Sequence, residues 1–340
     1  MDHKDENVPY GSARDLPSFL ELTWQIRAMK LVGWVIGRRY RSQLAKLEAD
    51  LARLIDVVDR FYTVLGPRHW VFHDTLNATK VEALLNTASG PEEAEQAFIE
   101  LYKDSESLLV PGHFYGIDGL RERSHLLDRA RDHYGARQFD SCTMLLIAVM
   151  DGFVNDFDPA LRKGLAARDP GEMVAWNSVA GHHMGLTNAL KPFTKSIRKR
   201  MDTEVFELYR HGIMHGSIVR FDNVVVATKA WNLLHALTDW AKATTSKNTP
   251  QFSPASWREL FDKILKNQEV KRNIEGFRPA TFLEGEDGFA DHPIHGLTTE
   301  FLQSWKQRNF GELARFQRKT SSGNKSRGKL AGELRIAFYG

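Results

Sequence analysis

Residues 209–216 read YRHGIMHG, which brings Arg210, His211 and His215 together in one short stretch. Histidine titrates near neutrality and can donate or accept a proton. Arginine keeps its charge and presents a fork of N–H donors that fits phosphate oxygens. Together these residue types can hold an anionic group and move a proton beside it. Spacing alone says little. The Arg-x4-His pattern occurs at Arg68–His73 and again at Arg210–His215, and a chain with this much arginine and histidine holds such a match by chance.

Context separates the two matches. The first follows Gly66-Pro67 and is interleaved with Trp70, Val71 and Phe72, the pattern of a packed chain reversal. The second lies in helical sequence whose apolar face is Val205, Leu208, Tyr209, Gly212 and Ile213. At ~100° per residue, Arg210 and His215 point about 140° apart, on either side of Met214. One regular helix does not aim both at one atom. A distortion, an end at Gly216 or a second copy of the helix across a two-fold axis would do so, and the two-fold pair would enclose two arginines and two histidines.

His211 and His215 are also four apart, the spacing of two zinc ligands on one helix. The metalloprotease form needs Glu directly after the first His, and Gly212 stands there, so that reading fails. Any other metal site would have to recruit His182 and His183 of AGHHMG or a carboxylate such as Asp151. Nothing in the spacing groups them, so neither metal nor cofactor is expected. GHHMG reads as a turn, and His292 and His295 of DHPIHG as loop residues.

The residues around the motif can support it or be ordinary surface. Asp151, Asn155 and Asp156 fall where a buried helix turns polar, and Asp151 and Asn155 share a face. They either fix a histidine tautomer or the arginine fork, or form a solvated helix end. Lys195, Arg198, Lys199 and Arg200 precede the motif and Arg220 follows it. They read as a groove for RNA phosphates or as a solvated basic face. Trp231 and Trp240 are candidates for base stacking or for the core.

Helical periodicity positions all of these. A charged helix over 119–134 leads through the turn GARQF into DSCTMLLIAVMDGFVNDF, apolar on nearly every side over 142–150 and therefore central, with Asp140 or Ser141 as its cap. A further helix is expected over about 171–200. Asp202 or Thr203 caps EVFELYRHGIMHG, and Asp222 caps NVVVATKAWNLLHALTDWAKA. Upstream, Leu44, Leu47, Leu51, Leu54, Val58, Phe61 and Leu65 form an a/d seam, packed either on its own domain or on another chain, and Gly66-Pro67 ends it. SGPEEAEQAF starts another helix, with Pro91 in its first turn and Glu92 and Glu93 complementing the dipole.

The chain divides by composition into a polar, disordered start (1–15), an N-terminal helical region (16–110), a helical domain (111–245) beginning at the Pro/Gly-rich break VPGHFYGIDG, a linker (246–256) and a smaller C-terminal region (257–340). The last holds the helices WRELFDKILKN and TTEFLQSWKQRNFGELARFQ, an irregular stretch over about 276–297, a flexible basic loop SSGNKSRGK and a strand-like ending, GELRIAFYG. That ending predicts an α+β unit that is incomplete or pairs with something else. With 340 residues, 42% hydrophobic and 26% charged, the chain can bury a real core. A net charge of +3 neither demands nor excludes nucleic acid. The single cysteine, Cys142, reads as a small buried hydrophobe and excludes an intramolecular disulfide or a Cys-rich zinc site. No apolar run spans ~30 Å of hydrocarbon and the start is not a secretory leader, so a cytoplasmic protein without a membrane partner is expected.

The motif and its surroundings resemble the HEPN superfamily. YRHGIMHG is similar to that family's Arg, polar residue and later His. LLDRARDHYGARQFDSCTMLLIAVMDGFVNDF resembles the fold's first helix pair, and DNVVVATKAWNLLHALTDWA its closing helix. The likeness covers about residues 115–243 and leaves both ends of the chain unexplained. It implies a mostly α chain containing an HEPN-like helical bundle, acting as a homodimeric, metal-independent endoribonuclease in defence or toxin biology. Arg210 would hold the phosphate, one His215 would act as base and its partner's counterpart as acid, and His211 would bind phosphate or orient His215. Cleavage would leave a 2′,3′-cyclic phosphate and a 5′-hydroxyl and spare DNA, and a regulatory protein could restrain it. The alternative is a non-catalytic module of the same fold that binds RNA, nucleotide or a protein partner.

Overall fold

A computed structural model describes residues 9–32, 38–104, 106–109, 112, 114–157, 163–175, 177–247, 272, 288–316 and 326–339. It is mostly helical, and among the described residues extended pairing is limited to isolated bridges. The chain divides into two compact units, Met1–Gln251 and Phe252–Gly340.

The first unit opens with α1 (Pro17–Val32) and α2 (Arg38–Leu65). The a/d seam of α2 faces its own unit: Leu51, Val58, Phe61 and Leu65 are buried in the core and Leu47 and Leu54 pack against it. A 3-10 turn at Gly66–Arg68 ends α2, and the chain reverses through His69 in the left-handed region (φ 63°). Arg68 pairs with Glu95 at 2.6 Å, and Trp70 Nε1 donates to the same carboxylate at 2.7 Å. The first Arg-x4-His match is thus a packed reversal. Two helices follow, α3 (Ala78–Thr87) and α4 (Pro91–Asp104). Glu93 reaches back to the Ser89 N–H at 2.8 Å, satisfying one of the donors that a helix start leaves open.

The next helices are α5 (Glu106–Leu109), α6 (Ser124–Gly135) and α7 (Phe139–Phe157). The expected burial of α7 is met: Cys142, Leu146, Ile147, Val149 and Met150 are fully buried. Its cap differs from expectation. The helix begins before Asp140 and Ser141, so neither can cap it, and Asp222 Oδ1 instead accepts from the Asp140 N–H at 3.1 Å. Asp222 is thereby diverted from the helix it was expected to cap, α10 (Val224–Lys247). Asn223 does that, its Oδ1 accepting from Val226 N–H at 3.1 Å.

α10 is the central helix. Trp231, Leu234 and Leu237 are fully buried, and Trp240 nearly so, which removes both tryptophans from base stacking. The same helix buries Asn232, His235 and Asp239, and each makes at least one hydrogen bond to a distant segment. The Asn232 amide clamps Val71, accepting its N–H at 2.9 Å and donating to its carbonyl at 2.8 Å. His235 Nε2 donates to Leu108 O at 2.9 Å, and its ring stacks on His73 at 4.5 Å. Asp239 Oδ2 accepts from the Asp74 N–H at 2.7 Å. One core runs from Val58 of α2 through Phe98 of α4 to Ile147 of α7 and Leu234 of α10. The expected boundary at 110/111 therefore does not divide the core. Phe114 and Leu120, inside the Pro/Gly-rich break, are buried in it.

Two further expectations change. Residues 9–15 are built into the unit, since Tyr10 N–H donates to Gly181 O at 3.1 Å and Ala13 N–H to Asp59 at 2.8 Å. Residues 1–8 of the expected disordered start lie outside the described residues. The helix expected over 171–200 shrinks to α8 (Leu186–Thr194) behind 3-10 turns. Gly181 and Gly185 explain this: a Cβ on either would collide with a backbone carbonyl, of Ala175 and Ala180 respectively, so the chain crosses itself too closely for a helix. GHHMG is a turn as expected, but His182 is buried and stacked on Tyr62 at 4.2 Å.

The second unit contains α11 (Pro293–Lys306), α12 (Phe310–Leu313) and α13 (Arg327–Tyr339). The strand-like ending is helical through Tyr339, because a few alternating residues such as LRIAF do not separate a period of 2 from one of 3.6. DHPIHG opens α11 rather than forming a loop. The His292 ring caps it, with Nδ1 3.3 Å from Ile294 N, and Pro293 occupies its first position. Residues 248–256 of the linker, the helix expected at 257–267 and residues 321–325 of the basic loop lie outside the described residues. No described helix is long and apolar enough to cross a membrane.

Candidate functional site

The motif sits on α9 (Arg210–Met214), a helix of one turn. The longer helix expected from Thr203 does not form. Residues 201–205 instead run beside 217–220, with Met201 N–H on Ser217 O at 2.7 Å and Val205 N–H on Arg220 O at 3.0 Å. Val205 lies inside and the next residue, Phe206, is half exposed, as extended chain allows. Asp202 pairs with Arg200 rather than capping a helix. His215 closes α9 and Gly216 follows with φ 69°, the left-handed conformation that suits glycine after a helix.

Gly212 is where the motif touches its support. A Cβ there would lie 2.6 Å from Ile218 Cδ1 and 3.2 Å from Ile197 Cβ. Glycine after His211 therefore has a packing reason, and the Ile218 N–H bonds Gly212 O at 3.0 Å across the contact.

Arg210 is held from α7. Its Nε and Nη2 donate to Asp151 Oδ2 at 3.1 and 2.8 Å, and both side chains are about a quarter exposed (27% and 24%). Asp151 Oδ1 accepts from Ala166 N–H at 3.2 Å. One edge of the guanidinium is thus committed, and among the described residues Nη1 keeps its donors. The His211 ring lies 4.6 Å from that of His215, tilted by 48°. Its Nδ1 faces both Ile197 O at 3.0 Å and the Ile197 N–H at 3.3 Å, so the tautomer that donates to the carbonyl leaves Nε2 an acceptor and the one that accepts the N–H leaves Nε2 a donor. His215 is exposed.

The other predicted residues divide. Asp156 is drawn away from the motif to Arg123, at 2.6 Å, and Asn155 makes no side-chain hydrogen bond among the described residues. Of the proposed trio only Asp151 joins Arg210. Lys195, Arg198, Lys199, Arg200 and Arg220 are all exposed. The 195–200 segment is tied to the motif at Ile197, whose carbonyl takes the His211 ring and the Ser217 hydroxyl at 2.8 Å. Lys195 lies over the Tyr209 ring at 5.7 Å, and Arg200 spends its fork on Asp202. No group of three or more His, Cys, Asp or Glu is gathered as a metal site among the described residues. His182 and His183 pack beside Tyr62 and Tyr10 instead.

A partly buried charge cluster around Lys229, leading into α9, was not anticipated. Lys229 Nζ is 2.9 Å from Glu207 Oε1 and donates to Phe206 O at 2.8 Å, while His69 Nδ1 lies 3.0 Å from Glu207 Oε2. Burial pulls the Lys229 ammonium below its ordinary range, with Glu207 and Glu95 opposing. Burial pushes the Glu207 carboxyl up, but His69 and Lys229 together outweigh it and hold it low. The signal in sequence is Lys229 itself, a lone charge inside VVVATKAWNLL. Cys142 is no nucleophile, since burial pushes its thiol up to about 12.

The arrangement offers a positioned cation, two adjacent imidazoles and an exposed basic segment, which suits binding an anion and moving a proton beside it. No protein-family model, curated protein or solved structure matches this chain.

Proposed function

We propose that the chain is a metal-independent endoribonuclease of HEPN type, with Arg210 and His215 as its catalytic residues. The observation that carries this reading is the Asp151–Arg210 contact beside the paired His211 and His215 rings. A guanidinium oriented by a carboxylate on its Nε edge keeps its Nη1 donors for a phosphate oxygen. His215 follows the helix rather than sitting within it, so a homodimer that faces two α9 helices supplies the second imidazole. One His215 then takes the proton of the 2′-hydroxyl. The 2′-oxygen attacks phosphorus, the P–O5′ bond breaks, and the partner copy's His215 protonates the 5′-oxygen. The products are a 2′,3′-cyclic phosphate and a 5′-hydroxyl. His211 orients His215, and Lys195, Arg198, Lys199 and Arg220 follow the RNA backbone. Action in the cytoplasm, in defence or toxin biology and under a restraining protein partner, belongs to the same proposal.

The test is cleavage of a labelled structured RNA and its DNA counterpart in EDTA by wild type, Arg210→Ala and His215→Ala. Cutting of RNA only, by wild type only, with cyclic phosphate ends, supports it. Cutting only with added metal overturns it in favour of the His211/His215 pair as ligands. RNA binding without cutting under either condition favours a non-catalytic helical module.

A further inference from the structure

Phe206 is 52% exposed. A single exposed apolar side chain needs no explanation, but this one has an unusual mounting. Its carbonyl accepts from Lys229 Nζ at 2.8 Å, and Lys229 is only 4% exposed. The same ammonium holds Glu207 at 2.9 Å, and His69 lies 3.0 Å from the other oxygen of that carboxylate. On the preceding residue, the Val205 N–H bonds Arg220 O at 3.0 Å and the Val205 side chain is buried. The backbone beneath the ring is therefore fixed from α10, from the reversal after α2 and from the 217–220 segment. A buried ammonium must be met by polar groups in set positions, and none of these contacts involves the ring itself, which projects into water.

The charges of the same stretch are unbalanced in one direction. Between Lys195 and Arg220 every carboxylate is engaged: Asp202 holds Arg200 at 2.8 and 2.9 Å, Glu204 accepts from the Asn223 amide at 3.3 Å, and Glu207 is held by Lys229. Arg198, Lys199 and Arg220 are exposed and make no ion pair or side-chain hydrogen bond among the described residues. Arg220 leaves the segment bonded to Val205. Phe206 stands four residues before Arg210, which keeps their Cα atoms within about 14 Å of each other. An exposed aromatic face among unanswered cations is the composition of a surface for single-stranded nucleic acid, in which the ring stacks on an unpaired base and the cations follow the phosphates. A paired duplex keeps its base faces stacked and offers such a ring nothing.

We propose that Phe206 is a stacking platform for an unpaired RNA base beside the phosphate held by Arg210, with Arg198, Lys199 and Arg220 on the flanking phosphates. The substrate class is then single-stranded or looped RNA. This rests on the reading of RNA as the ligand of the Arg210 motif, and adds to it a residue that selects unpaired strands. The mounting suits the task. The backbone is already fixed and a phenylalanine ring has few rotatable bonds, so little freedom is lost when a base settles on it.

The test uses the full chain in fluorescence anisotropy titrations with 2′-O-methyl RNA, whose blocked 2′-oxygen cannot attack phosphorus. The probes are a short oligoadenylate, the same backbone with abasic sugars, and a duplex of equal length. Phe206→Ala is expected to weaken the oligoadenylate about tenfold and to leave the abasic strand and the duplex unchanged. Phe206→Trp should keep the affinity, whereas Phe206→Leu, apolar but without a ring, should behave as Phe206→Ala; this pair serves if Phe206→Ala does not fold. Arg220→Ala should weaken all three probes and lower the salt dependence by about one phosphate contact. A Phe206→Ala protein with an unchanged thermal melt and unchanged oligoadenylate affinity overturns the proposal, as do equal losses on the abasic strand or equal affinities of the Leu and Trp variants. A shift of Phe206→Ala from dimer to monomer in sedimentation, with affinity restored at high protein concentration, assigns the ring to an interface between copies and also overturns it. Failure of the wild type to bind any probe overturns it together with the nuclease reading. Ring-dependent binding without cleavage of unmodified RNA keeps the platform and overturns the nuclease alone, and cleavage without ring dependence does the reverse.

Discussion

Gly212→Ala is the most direct probe of how the motif is held. The new methyl would lie 2.6 Å from Ile218 Cδ1 and 3.2 Å from Ile197 Cβ. Carbon atoms in ordinary contact sit ~3.5–4.0 Å apart, so roughly 1 Å must open. Ile218 is buried, and its N–H is bonded to Gly212 O at 3.0 Å, so the two segments cannot separate freely. Overpacking of this kind costs ~1–3 kcal/mol. Alanine's better helix propensity returns at most ~1 kcal/mol, and little of it in a single turn. The expected net loss is about 1–2 kcal/mol. Urea unfolding of a double-mutant cycle with Ile218→Ala measures it. Ile218→Ala alone should cost ~2–5 kcal/mol, and about 1–2 kcal/mol less in the Gly212→Ala background, where it relieves the clash. Additivity within ~0.5 kcal/mol would refute the packing argument. The same displacement of α9 carries Arg210 away from Asp151, so the proposed RNA cleavage should fall on the order of a hundredfold in Gly212→Ala and recover in part in the double variant.

Four further outcomes are expected. A cycle of Arg210→Ala and Asp151→Ala should give a coupling of about 1–2 kcal/mol, below that of a fully buried pair because each side chain is about a quarter exposed; zero coupling in urea unfolding would mean that water separates them. Asp239 holds its proton up to about 8 in the fold, so its contribution to stability is complete below the ordinary carboxylate range and lost as pH rises through about 8. Asp239→Asn should therefore flatten the decline of the urea midpoint on that side, and parallel profiles would count against it. His182 has the opposite sign: burial pulls its imidazole down to about 4, so its share of stability is lost as pH falls from the ordinary histidine range through about 4. His182→Phe, which keeps the stack on Tyr62, should lose that acid-side slope in thermal melts. Cys142 should react with a thiol reagent only at the rate of unfolding, and fast labelling of the native protein would contradict its burial.

Much of the helical plan was legible because it depends on period and caps. The seam of α2, the buried run of α7 and the tryptophans of α10 all follow from apolar residues recurring every three or four positions. Residues 171–214 were not legible in the same way. Apolar spacing there fits a helix, but Gly181, Gly185 and Gly212 mark close approaches between chain segments that no local pattern reveals. Cap assignments failed for a related reason. Asp222 looked like the cap of α10 by proximity, yet its carboxylate crosses to α7, a choice set by the packing of distant segments. At the candidate site, Asp151 was legible only as one of two readings, a partner for Arg210 or part of a solvated helix end, and the contact with Arg210 decides between them. Asp156, next in the same group, faces Arg123 instead, and only the helix rotation decides between them.

The Asn232 clamp has a consequence for how freely this chain can change. A side-chain amide carries a donor and an acceptor like those of a peptide unit, so Asn232 offers Val71 the pairing a neighbouring strand would. The path of residues 70–74 is therefore written on the surface of α10, in Asn232, His235 and Asp239. A redesign that made α10 uniformly apolar would raise its hydrophobicity and erase those instructions. An insertion in 70–74 would shift every backbone group past its partner. The two stretches form one unit of inheritance, more than 150 residues apart in the chain, and the Val71 amide proton should exchange with solvent only when the whole unit opens.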